Sequence, residues 1–141
     1  MSLGRFRYQA LLQVFQSRED LLEQEMASLE RERRGVGERI LHLLRECDRT
    51  RKRLVTKGQV EDPETFLRYM EGMMVRVQES RKEEEALQKR ILNRLEELKK
   101  VRTERMRFGK LKDQHEEKIQ RFVKKLEQKV SDEFAQRKQT A

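Results

Sequence analysis

The chain has 141 residues, of which 43% are charged and 35% hydrophobic, with a formal charge of +8. An ordinary globular domain carries about 25% charged residues, so there is too little apolar material here to fill a rounded core. No apolar run approaches the ~20 residues that span a bilayer, and the N-terminus lacks the apolar centre of a secretory signal, which predicts a cytoplasmic protein.

High polarity of this degree usually means disorder, but disordered chains lack a periodic apolar stripe. This one has two. In the first, Leu12, Phe15, Leu22, Met26, Leu29, Val36, Ile40, Leu43, Cys47 and Leu54 step by threes and fours. Such a heptad seam buries one narrow stripe of a helix against a partner helix. The seam predicts helix one over about 5–56, roughly 52 residues and ~78 Å long. Ser17-Arg18-Glu19-Asp20 has the composition of a helix start, yet the seam passes through it in phase, which places it mid-helix. Cys47 lies on the seam and reads as a small buried apolar residue rather than a redox centre.

Residues 57–62 then form the expected turn. Gly58 suits a helix end, Asp62 suits an N-cap, Pro63 suits the first helical position and Glu64 complements the positive end of the next helix. Helix two is predicted over about 63–138 and could reach ~110 Å. Its seam runs through Phe66, Met70, Met73, Val77, Leu87, Ile91, Leu98, Val101 and Phe108, and reappears as Ile119, Phe122 and Leu126. Gly35, Gly37, Gly72 and Gly109 fall inside predicted helix, each at a cost of ~1 kcal/mol relative to Ala, and suggest bends or close approaches. Glu30/Arg34, Glu85/Lys89, Glu96/Lys100 and Glu117/Arg121 have the favourable i,i+4 order.

A short connection between two long helices implies an all-α, antiparallel two-helix coiled-coil hairpin with a longer second helix, a single elongated domain over 1–141. Folding about position 60 sets Leu54 opposite Phe66, Leu43 opposite Val77, Leu29 opposite Ile91, Leu22 opposite Leu98 and Leu12 opposite Phe108. It also brings the seam charges Arg33 and Glu84, and Glu19 and Arg105, into neighbouring layers, which predicts two ion pairs between the arms. Seams satisfied within one chain predict a monomer; a parallel homodimer is the structural rival.

Catalytic constellations are absent from the sequence. His42 and His115 are far apart in the hairpin, no Cys/His cluster has zinc-ligand spacing and no glycine-rich phosphate loop occurs, so no enzyme, cofactor, metal or small-molecule substrate is expected. Binding surfaces remain. Ile119, Phe122, Leu126, Val130 and Phe134 continue an apolar stripe past the end of helix one, flanked by Lys118, Arg121, Lys124, Lys125 and Lys129. A stripe without an internal partner needs an external one. Phe6 and Tyr8 offer a cover for Ile119 and Phe122, but not for Val130 and Phe134. Beside the turn, Phe66, Tyr69, Met70, Met73 and Met74 crowd two turns of helix; Phe66, Met70 and Met73 occupy the seam, leaving Tyr69 and Met74 toward its flanks. The positive charge suits an acidic partner, and Lys99, Lys100, Arg102, Arg105, Arg107, Lys110 and Lys112 form its densest run. Without interleaved aromatics for base stacking, the run argues for nucleic acid only as the alternative function.

Phe6-Arg7-Tyr8-Gln9-Ala10-Leu11-Leu12 near the start, the charged hairpin, and Glu127-Gln128-Lys129-Val130-Ser131-Asp132-Glu133-Phe134-Ala135 at the end resemble the flagellar export protein FliJ family. Stalk proteins of injectisome type III secretion share the design. The resemblance implies a non-catalytic component of the flagellar type III export apparatus, peripheral at the inner face of the cell membrane. It further implies a stalk that binds the export ATPase FliI, favours its ring, links it to the export gate protein FlhA, and has a role with export chaperones. On that reading the ATPase contact would fall on Ile119, Phe122, Lys125, Leu126, Lys129, Val130 and Phe134. The gate contact would fall on Tyr69, Met73 and Met74, with Ser80 departing from the bulkier residue common nearby.

Overall fold

A computed structural model describes residues 4–57 and 63–140. It contains two helices, α1 (Gln9–Lys57) and α2 (Pro63–Thr140), packed against each other as an antiparallel hairpin. The expected Gly58 and Asp62 capping positions lie outside the described residues. Pro63 opens α2 with Glu64 in its first turn, while Arg137 and Lys138 fall in the last, an arrangement that complements the helix dipole at both ends. Helix α1 runs unbroken through Ser17-Arg18-Glu19-Asp20, because the apolar stripe there has a partner to bury against. It begins at Gln9 rather than near Arg5, and its first turn holds no carboxylate. The first α-helical bond is donated by the Leu12 amide to the Tyr8 carbonyl at 2.9 Å, and the Gln9 amide closes a shorter turn onto the Phe6 carbonyl at 3.3 Å.

The chain divides into two compact units, and both helices contribute to each. The unit spanning Leu22–Glu97 holds the larger apolar cluster: Leu29, Val36, Ile40, Leu43 and Cys47 from α1 meet Met73, Val77, Leu87 and Ile91 from α2, with Met26 and Met70 against their edge. Val77 is fully enclosed, and Ser80 is the polar side chain drawn in beside it. Arg39 reaches Glu83 at 3.2 Å and Arg94 reaches Glu25 at 3.1 Å, so rising numbers on one helix meet falling numbers on the other. Antiparallel pairing about the expected turning point accounts for both.

The second unit joins the chain up to Leu21 with the chain from Leu98 onward. Leu12, Leu98 and Val101 are buried in it, and the remaining packing is aromatic. Phe15 stacks on Phe108 at 5.5 Å between centroids, Tyr8 meets the same ring at 5.6 Å, and Phe6 lies 5.7 Å from His115. The N-terminal segment thus folds onto α2 before α1 begins.

Of the two ion pairs expected between the arms, Glu19–Arg105 forms and Arg33–Glu84 does not. The Glu19 side chain is only 12% exposed and divides its carboxylate, one oxygen accepting from Arg102 Nε at 3.2 Å and the other facing Arg105 Nε. In the other unit the bridge runs instead from Arg39 to Glu83, two well-exposed residues whose long side chains cross above the apolar stripe. Arg33 and Glu84 occupy the narrow seam itself, where meeting would require desolvating both charges.

None of the helical glycines marks a close approach. A Cβ built at Gly35, Gly37, Gly72 or Gly109 meets nothing within 4 Å. Gly72→Ala and Gly109→Ala should therefore each stabilise the fold by about 1 kcal/mol, seen as a higher thermal midpoint by circular dichroism. A lower midpoint would mean that helix bending at these positions matters to the native state. For the charges, a double-mutant cycle between Glu19 and Arg105 should return a coupling on the order of 0.5–1 kcal/mol in urea melts, and the same cycle between Arg33 and Glu84 should return none.

Candidate partner-docking surfaces

The C-terminal part of α2 carries the largest run of uncovered apolar side chains. Phe122, Val123, Leu126, Val130 and Phe134 are between 43% and 63% exposed, and Leu126, Val130 and Phe134 line a shallow groove with Glu127 and Ser131. At about 100° per residue, Ile119, Phe122, Val123, Leu126, Val130 and Phe134 cover an arc of roughly 120°. That is wider than the a/d stripe of a two-stranded coiled coil, because the spacing after Phe122 changes from alternating threes and fours to successive fours. The edges of the arc differ in charge. Lys118, Lys125 and Lys129 fall along the Phe122 side by spacing, whereas Glu127 and Ser131 fall along the Phe134 side. Lys138 lies 5.7 Å from the Phe134 ring, within cation–π range.

Ile119 departs from the expected stripe. It is half-buried and lines a cleft with Arg5, Phe6 and His115, so the N-terminal segment covers it. Phe122 stays exposed, which limits the cover to the first residue of the stripe. The seam pattern also missed Val123, which does not belong to the heptad but lies on the arc of an ordinary 3.6-residue helix.

Beside the start of α2, the three residues assigned to one surface go separate ways. Met73 is 4% exposed and belongs to the apolar core, so it is not available as a contact; Tyr69 and Met74 are well exposed. Five residues apart, Tyr69 and Met74 differ by about 140° around the helix and sit on opposite flanks of the buried Met73. Leu67, seven residues before Met74 and also exposed, shares its flank. Heptad spacing alone showed Met73 to be a seam residue; its complete enclosure follows from the α1 side chains packed over it.

The basic run on α2 is partly consumed internally. Arg102 and Arg105 serve Glu19, and Arg107 lies 4.0 Å from Glu104, which among the described residues leaves Lys99, Lys100, Lys110 and Lys112 as its unpaired cations. Among the described residues there is no group of three His, Cys, Asp or Glu side chains placed to hold a metal ion, and no helix long and apolar enough to cross a membrane.

No curated protein and no solved structure matches the chain. The family model described as flagellar FliJ protein matches residues 4–140, in line with the resemblance carried by the terminal segments and the hairpin. The chain belongs to the FliJ family and is a component of the flagellar protein export apparatus.

Proposed function

We propose that this chain is a non-catalytic coupling element of the export apparatus, docking through the C-terminal arc of α2 on the export ATPase FliI and through the flanks near the start of α2 on the export gate protein FlhA. The observation that carries the reading is the arc itself: bulky apolar side chains held on a continuous helix, uncovered by α1 or by the N-terminal segment. Exposed apolar surface of this extent is typical of a site that a partner covers. Phe122, Leu126, Val130 and Phe134 supply the apolar contact, and Lys125 and Lys129 steer an acidic rim on the partner. Ile119 serves the N-terminal cover instead.

Tyr69 on one flank, and Met74 with Leu67 on the other, are the remaining contact surfaces for the gate or for export chaperones. Met73 supports them from the core. A hairpin whose seam is satisfied internally works as a monomer, in the cytoplasm and at the inner face of the membrane through its partners. Binding of nucleic acid is disfavoured by the use of Arg102 and Arg105 inside the fold.

Adding the chain to its cognate ATPase should raise ring formation and ATP turnover. Phe122→Ala/Leu126→Ala should lower the apparent affinity for that effect by roughly tenfold or more, as expected for two apolar anchors. The same variant should melt within about 0.5 kcal/mol of the parent, since both side chains are exposed in the free protein. Full stimulation by a folded double variant would remove the arc as the docking surface, and loss of stimulation only at raised salt would point to the charges instead.

A further inference from the structure

The N-terminal segment does more than cover Ile119, because between it and α2 lies a cleft of about 700 Å³. Its lining combines three cations, Arg5, Arg7 and Lys112, with the apolar Phe6 and Ile119 and the imidazole of His115. One carboxylate, Glu116, is also present. Among the described residues no ion pair engages Arg5, Arg7 or Lys112, although acidic side chains are abundant elsewhere in the chain. Arg7 lies over the Tyr8 ring at 5.6 Å, which holds it at the cleft without neutralising it. The adjoining first turn of α1 contributes no carboxylate either. His115 Nε2 is buried and has no hydrogen-bond partner, while its ring packs 5.7 Å from Phe6.

A polar nitrogen shut away from water without a partner is costly, and so is a concentration of like charge beside it. The second cost falls if an anionic group enters the cleft. We infer that this cleft binds an acidic segment of a partner protein, taking a carboxylate between Arg5 and Lys112 and an adjacent apolar side chain against Phe6 and Ile119. Mixed lining sets this site apart from a bare anion site: phosphate could use the cations but would leave the apolar wall exposed to water. The inference is independent of the C-terminal arc, which shares none of the groups that hold the carboxylate.

The chain has only two histidines, so the His115 ring proton can be followed by NMR in the full-length protein, with His115→Phe identifying its signal. Titration with the amide-capped dipeptide acetyl-Phe-Glu should shift that signal saturably. Arg5→Gln/Lys112→Gln, checked for unchanged helicity, should weaken the dipeptide by about tenfold or more, the expected loss for charge-assisted contacts. Phe122→Ala/Leu126→Ala should leave it unchanged. Acetyl-Phe-Gln and inorganic phosphate should each bind at least about tenfold more weakly than the acidic dipeptide. No saturable shift, equal binding by the Gln variant, or equal binding of either control probe would overturn the assignment.

Discussion

A single apolar stripe between two antiparallel helices is the constraint from which the rest of this molecule follows. In such packing only about two residues in seven reach the partner, and the others stay in water. A chain that is 43% charged can fold on those terms because its charges occupy the positions the stripe leaves open. The buried set is correspondingly thin: Leu, Val, Ile and Met side chains with Cys47 and Ser80, Val77 being the most completely enclosed. Wherever the stripe lacks an opposing helix, as beyond Phe122, its side chains are exposed, and exposure there is the property that partners can use.

Charge takes two structural forms in this arrangement. Pairs such as Arg39–Glu83 and Glu25–Arg94 bridge the helices from the flanks, where long side chains span the stripe and both residues stay partly exposed. Bridges of that kind are individually weak, and their value is in favouring one alignment over its neighbours. Glu19 is different, since it lies nearly buried and holds two arginines at once. Removing Glu19 would leave two cations facing each other at the edge of an apolar layer. The pairing also withdraws two arginines from the most basic stretch of α2, so a run that looks like a nucleic-acid surface in one dimension is partly an internal contact in three.

At the other extreme are side chains whose surroundings no periodicity describes. Phe6 and Tyr8 precede α1, and their destinations at His115 and Phe108 lie about a hundred residues away in sequence. Tyr8 and Phe15 share Phe108, which makes this unit aromatic where the other is aliphatic. The cleft with its uncompensated cations exists only because the segment folds back, and the orphaned nitrogen of His115 has no signature in the sequence at all. Met73 and Met74 are the contrasting case, in which periodicity is enough. Adjacent and chemically identical, one is core and the other is surface, and the difference is the 100° that a single residue turns on a helix.

The seams, the start of α2 at Pro63, the antiparallel alignment and the uncovered stripe were legible from residue order, because helix formation and heptad burial are short-range periodic effects that repeat often enough to be unambiguous. The Glu19–Arg105 contact was legible for the same reason, both residues being seam positions in adjoining layers. Tertiary structure decided what periodicity cannot encode. It paired Arg39 with Glu83 where Arg33 with Glu84 was expected, moved the start of α1 to Gln9 and gave Ile119 to the N-terminal segment. Each of these outcomes depends on the reach and direction of one side chain toward a neighbour distant in sequence, and such geometry exists only once the two helices are in contact.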